Sequence, residues 1–92
     1  MTFNITMPYA IQIRRQAQKK LASLPETERE RLALKIQALG INPDDKALDV
    51  KKLTASPYWR LRVGGWRVIY DRQDALKIIA IEAIKPRGDA YK

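Results

Sequence analysis

Thirteen residues in the middle of the chain, Tyr58-Trp59-Arg60-Leu61-Arg62-Val63-Gly64-Gly65-Trp66-Arg67-Val68-Ile69-Tyr70, alternate apolar and basic side chains on either side of a glycine pair. Alternation with period two marks a half-buried strand. Two such runs joined by two glycines predict a β-hairpin, because glycine accepts the left-handed dihedrals of a two-residue loop. Val63 then pairs with Trp66, Arg62 with Arg67, Leu61 with Val68 and Arg60 with Ile69. Directly opposed residues share a face, so Trp59, Leu61, Val63, Trp66, Val68 and Tyr70 form one apolar surface while Arg60, Arg62 and Arg67 gather on the other. Like charges set opposite each other are unfavourable, and a bound polyanion is the simplest compensation. The bland alternative is a solvated face of a sheet that is covered on one side only.

The rest of the composition narrows the chemistry. At 92 residues the chain is expected to form one domain, 1–92, near the lower size limit for a single hydrophobic core. It has no cysteine and no histidine, which removes disulfides, thiolate metal sites, the commonest metal ligand and the usual general base at neutral pH. No metal and no cofactor is expected. The start, Met1 to Met7, lacks the basic segment and long apolar run of a signal peptide, and no stretch reaches membrane-spanning length, so a cytoplasmic protein without a membrane partner is expected. The formal charge of +8 is uneven: residues 1–45 hold seven Lys and Arg against five Asp and Glu, and residues 46–92 hold eleven against five. Such an excess favours nucleic acid, an anionic membrane surface or an acidic protein as partner, and strand patterning makes an interfacial membrane helix the poorest of these.

Phe3, Ile5 and Met7 alternate with Asn4 and Thr6, which predicts a short first strand ended by Pro8. From Ala10, the apolar positions Ile13, Ala17, Leu21 and Leu24 recur every three or four residues and predict a helix, broken at Leu24-Pro25. A second helix is expected to start at Thr27, where Thr27-Glu28-Arg29-Glu30 fits a capping box, to bury Leu32, Ile36 and Leu39, and to end at Gly40. Lys51-Lys52-Leu53 is extended or irregular. After the hairpin, Asp71 to Asp74 reads as a turn, and Ala75 to Ile84 as a strand buried on both faces around Ile78-Ile79-Ala80-Ile81. The expected fold is α+β. It has a short N-terminal strand, an antiparallel two-helix hairpin and a three-stranded antiparallel meander, with the helices on one sheet face.

In this order of elements the chain resembles the RelE/ParE superfamily of toxins from bacterial toxin-antitoxin pairs. The similarity runs through the Leu24-Pro25 break, Lys52-Leu53 before the hairpin, Trp59-Arg60-Leu61-Arg62-Val63, Trp66-Arg67-Val68-Ile69-Tyr70 and the closing Asp89-Ala90-Tyr91. The resemblance implies a RelE-like fold and a toxin with one of two activities, or a relative with neither. In the RelE branch the scaffold cuts mRNA on the ribosome, in the ParE branch it poisons DNA gyrase, and an inactive relative would only bind its antitoxin. It also implies a cognate acidic antitoxin and a toxin-antitoxin hetero-oligomer, with ribosome and mRNA as further partners of a RelE-like member. By the same resemblance Arg67 matches the third-strand arginine of the RelE cleft and Tyr91 its terminal tyrosine. Lys85 or Arg87 matches the basic residue after the last strand, and Arg60 and Arg62 fall where relatives carry lysines. The histidine-using members have no counterpart in this chain.

RNA cleavage through the ribose 2′-hydroxyl needs a base, a stabiliser for the phosphorane and an acid for the leaving oxygen. Arginine suits the second task, since its planar fork matches phosphate oxygens and stays charged, and it is a poor base for the same reason. Arg67 is therefore the expected stabiliser, with Arg60, Arg62, Arg87 and Lys52 as phosphate ligands. Tyr91 and Lys85, and less directly Lys51 or Lys52, remain as proton-transfer candidates. Positive surroundings make a lysine or tyrosine release its proton more readily, and Tyr91 could instead stack on a base.

Overall fold

The computed structural model describes residues 8–87. The strand expected at Phe3 to Met7 and the tail residue Tyr91 lie outside the described residues. Within them the chain runs β1 (Ala10–Ile13), α1 (Arg15–Ala22), α2 (Glu26–Ile41), β2 (Val50–Lys52), β3 (Tyr58–Val63), β4 (Trp66–Gln73) and β5 (Ile78–Pro86). The strands form one five-stranded sheet in the order β1-β5-β4-β3-β2. β1 runs parallel to β5, and every other neighbouring pair is antiparallel. The meander of β3, β4 and β5 is as expected, but the sheet is mixed and larger than a three-stranded meander.

Two corrections follow from pairings that helical spacing does not reveal. Ala10–Ile13, expected as the first turn of a helix, is a strand that alternates exposed and half-buried residues. Its ladder to β5 is extended by Ala10 N–H donating to the Lys77 carbonyl at 2.8 Å and Arg14 N–H donating to the Ile81 carbonyl at 2.9 Å. Hydrogen bonds to a distant strand here outweigh a local helical pattern. The second correction is to the number of strands: Lys51-Lys52 is extended, one of the two expected readings, and with Val50 adds an edge strand on β3 to the three-stranded meander.

α2 starts at Glu26, behind Pro25, and the capping box predicted at Thr27 is not made; Glu26 and Glu28 in its first turn favour the positive end of the helix dipole instead. Gly40 does not stop the helix. It is buried within the last turn, where its carbonyl accepts a hydrogen bond from Tyr9 N–H at 3.1 Å. The helix gives way at Asn42, which is extended, as expected of a residue before proline.

Leu24, Leu32, Ile36 and Leu39 from the helical segment pack with Leu61, Val63, Val68, Tyr70, Ile79, Ile81 and Ile84 from the sheet, and Trp59 and Trp66 close the margins. Both helices therefore cover one sheet face, the one that carries the apolar side of the hairpin. Trp66 ties the hairpin tip to that layer: its Nε1 donates to Glu28 Oε1 at 2.8 Å, and Lys20 Nζ lies 5.4 Å from the ring centroid. At the other end of the sheet Arg72 joins three segments. It binds Asp44 in a two-pronged contact at 2.8 and 3.0 Å and Asp74 at 2.8 Å, with its guanidinium between the rings of Tyr9 and Trp59.

The hairpin register is the one read from the sequence: Val63 faces Trp66, Arg62 faces Arg67, Leu61 faces Val68 and Arg60 faces Ile69. Only Gly64 takes a positive φ, +58°, whereas Gly65 does not. In the sign of φ this is the loop that needs glycine at its first central position, not the loop that needs it at both. The next turn lies at 74–77 and not at 71–74, so β4 continues to Gln73 and β5 begins at Ile78. Lys77 adopts a left-handed φ of 57° in that turn. Ile79, Ala80 and Ile81 are fully buried as expected, whereas Ile78 at the start of β5 is half-buried.

Candidate functional site

Strand pairing builds the site on the sheet face away from the helices. β3 places Arg62 opposite Arg67 of β4, and β4 places Arg67 opposite Lys85 of β5, so one row across three strands reads Arg62, Arg67, Lys85. The next row reads Lys51, Arg60, Ile69, Ala83 across β2 to β5. Neighbouring strands are about 4.8 Å apart and opposed residues share a face, so five cations stand within a few strand widths of one another. The alternation within each strand that sends Leu61, Val63 and Val68 into the core leaves the arginines no other side to occupy.

The arginines differ in environment. Arg60 and Arg67 are buried, at 5% and 4% exposure, whereas Arg62 and Lys85 are exposed. The reading of this face as simply solvated therefore fails for Arg60 and Arg67 and holds for Arg62. A buried guanidinium requires hydrogen-bonding partners. For Arg60 the partner is Asp49, immediately before β2: Arg60 Nη1 donates to Asp49 Oδ1 at 3.0 Å and to the Asp49 main-chain carbonyl at 3.3 Å. Asp49 Oδ2 also lies 3.6 Å from Arg62 Nε. One carboxylate thus meets both arginines of β3.

The structure brings together Arg60, Arg62, Arg67 and Lys85 from the residues expected at the site. Arg87 is exposed just beyond β5, with its main-chain N–H donating to the Gly65 carbonyl at 2.7 Å, which keeps it beside the hairpin loop. Lys52 is not part of the cluster. It pairs with Trp59, which puts it on the parity of the helix-covered face, and its Nζ donates to the Ser56 carbonyl within the β2–β3 loop at 2.6 Å. Lys51, its neighbour, pairs with Arg60 and takes the place on the basic face. Asp49 and Tyr58 were not foreseen at the site. Tyr58, two residues before Arg60 in β3, is an exposed aromatic of the same face. Its position could have been read from the hairpin alternation, whereas Asp49 depends on the β2–β3 pairing.

Chemically the face offers fixed, permanently charged guanidinium groups beside an ammonium group, an arrangement suited to a phosphodiester. Among the described residues there is no group of three or more His, Cys, Asp or Glu that could hold a metal ion. No helix among them is long and apolar enough to cross a membrane.

Comparison with known proteins points the same way as the fold. A family profile described as the ParE toxin of type II toxin-antitoxin system, parDE, matches residues 11–91. A Methanocaldococcus jannaschii protein named as a candidate toxin, RelE1, is 33% identical over 88 residues, covering 94% of this chain and 98% of its own length. Among solved structures, the archaeal RelE-RelB complex from Pyrococcus horikoshii OT3 matches with a TM-score of 0.79 at 35% identity, covering 91% of this chain and all of that one. The intact Escherichia coli RelBE toxin-antitoxin complex matches with a TM-score of 0.70 at 25% identity, covering 85% of this chain and 95% of that one.

Proposed function

Because this chain belongs to the RelE/ParE superfamily of toxins of type II toxin-antitoxin systems, we propose that its basic sheet face is the active surface of a ribosome-dependent mRNA endoribonuclease. The observation that carries this reading is the row Arg62, Arg67, Lys85, with Arg60 one row below: four cations fixed by strand pairing on one face. Like charges in such a row repel one another, and a polyanion crossing it relieves that repulsion.

In the proposed reaction the ribose 2′-oxygen attacks the adjacent phosphorus and the bond to the 5′-oxygen breaks, leaving a 2′,3′-cyclic phosphate and a 5′-hydroxyl. No metal is needed for this displacement. Arg67, the second residue of β4, is buried and paired with a strand on each side, so it is already oriented to receive the charge that develops on the phosphorane oxygens. Lys85, directly opposite, is placed to move a proton to or from the reacting oxygens. Arg60, Arg62 and Arg87 hold flanking phosphates. The assignment of Tyr91 as a proton-transfer or base-stacking residue rests on the family resemblance. The partner that silences the toxin in the cell is an acidic antitoxin in a hetero-oligomeric complex, in keeping with the RelE-RelB complexes that this fold resembles.

Primer extension on a reporter mRNA in a cell-free translation reaction, with and without ribosomes, tests the reading. Cuts at defined codon positions that require both ribosomes and the protein are the expected result. The family profile, described as a ParE toxin, favours a second reading, a gyrase poison without nuclease activity. Intact mRNA together with gyrase-linked DNA cleavage complexes would replace the first reading with this one.

A further inference from the structure

Asp49 makes two kinds of contact with the arginine pair of β3. Its main-chain carbonyl accepts the Arg62 N–H at 2.9 Å and Arg60 Nη1 at 3.3 Å. Its carboxylate spans the two side chains, Oδ1 at 3.0 Å from Arg60 Nη1 and Oδ2 at 3.6 Å from Arg62 Nε. The Arg60 side chain is only 6% exposed, whereas those of Asp49 and Arg62 are 53% and 45% exposed. The guanidinium of Arg60 is therefore held in place from the main chain and by burial, while the carboxylate that touches it is half-exposed to solvent.

A carboxylate and a phosphate present the same pair of oxygens to a guanidinium fork. We propose that the Asp49 carboxylate is an internal stand-in for phosphate: it occupies the anion seat of Arg60 and Arg62 until a nucleic-acid phosphate displaces it, and so sets the affinity of the face. The Asp49–Arg62 pair is exposed on both sides and contributes little, and the Asp49 carboxylate itself is half-exposed, so a polyanion reaching several cations at once outcompetes it. The same contact offsets part of the repulsion among the arginines before any ligand arrives, which accounts for a buried arginine in a row of cations. This inference deepens the nucleic-acid reading of the face and rests on it.

The test is fluorescence anisotropy of the full-length protein with a labelled single-stranded 2′-deoxyoligonucleotide, which offers phosphates but no 2′-hydroxyl to react. Asp49→Asn should tighten binding roughly fivefold and steepen the dependence of log affinity on log salt by about 0.7, the increment for one more phosphate contact with a single strand. Asp49→Ala, which leaves the main-chain contacts in place, should act in the same direction. Asp45→Asn, equal in charge change but with its carboxylate on the Ala47 N–H and not on Arg60 or Arg62, should move affinity by less than about twofold. With Arg60 and Arg62 both changed to Gln, Asp49→Asn should do no more than Asp45→Asn. Unchanged or weaker binding by both Asp49 variants, an equal gain without the arginines, or no binding by any of the proteins would overturn the proposal. The endoribonuclease reading fails separately, through absence of ribosome-dependent cuts by the unaltered protein, a result to which a deoxy strand is blind.

Discussion

Arg67 of β4 and Lys85 of β5 stand directly opposite each other on adjacent antiparallel strands, and Arg62 flanks Arg67 on its other side. Strand pairing forces three positive charges into one row, and the helices cover the opposite face, so nothing in the hydrophobic core requires those residues to be basic. Under the proposed function this row is the part of the surface that meets the phosphates of the RNA.

Arg67→Gln is expected to lower the rate of ribosome-dependent mRNA cleavage by about 100-fold or more, the usual loss when one preorganised stabiliser of a developing anion is removed. Because Arg67 is 4% exposed, its replacement is also expected to lower the melting temperature, so cleavage is read at a temperature at which the circular dichroism spectrum shows the variant folded. Single-turnover cleavage measured beside a thermal melt separates the two effects.

Arg72 supports the fold and is expected to show it in acid. Its hydrogen bonds hold the Asp44 and Asp74 carboxyls below their ordinary values. A carboxylate whose pKa is depressed in the folded state stabilises that state above the unfolded pKa and loses the contribution as pH falls through the folded one. Melting temperature should therefore hold down to about pH 5 and fall below about pH 4. Arg72→Gln should lower the melting temperature at neutral pH and flatten this acid limb. An acid limb of unchanged slope in the variant would refute the assignment.

Tyr70 is fully buried, and burial pushes its phenol up to about 12. A neutral group favoured by the fold stabilises it below the unfolded pKa, near 10, and that contribution is lost as pH rises towards the folded value. Among the described residues its hydroxyl has no hydrogen-bond partner. Tyr70→Phe is thus expected to be neutral or slightly stabilising at pH 7 and to remove part of the alkaline destabilisation, as read by chemical denaturation at pH 7 and pH 11.

The two hairpin glycines are expected to differ. A Cβ at Gly64 would require a residue other than glycine at φ +58° and would come within 3.1 Å of Arg31 Nη1, whereas one at Gly65 would meet open space. Gly64→Ala should cost about 1 kcal/mol and Gly65→Ala much less, measured by urea denaturation. Because Arg31 is the flexible end of a long side chain, the cost at Gly64 arises chiefly from the backbone.

How far the fold could be read ahead depended on how far apart the interacting residues lie. The hairpin register follows from alternation around one two-residue loop, and every pairing from Val63–Trp66 to Arg60–Ile69 is local. The Leu24-Pro25 break and the buried stripe Leu32, Ile36, Leu39 belong to single segments and were equally legible. β1 was not, because Ile13 falls in helical spacing with Ala17, Leu21 and Leu24, and only the hydrogen bonds supplied by β5 make Ala10–Ile13 a strand. At the candidate site, the placement of Lys51 on the basic face, of Lys52 off it, and of Asp49 against the arginines hangs on the register of β2 against β3. A one-residue slip in that register would exchange the two lysines.

The order of residues alone thus determines which side chains of the hairpin point together and that arginines crowd one side of it, since a period of two is a property of the extended backbone. Burial of Arg60 and Arg67, alignment of Lys85 with Arg67, and the meeting of Asp49 with Arg60 and Arg62 came from tertiary structure. Each needs segments far apart in the chain to pair in one register, and that register is chosen by the packing of the whole sheet against its helices rather than by any local pattern.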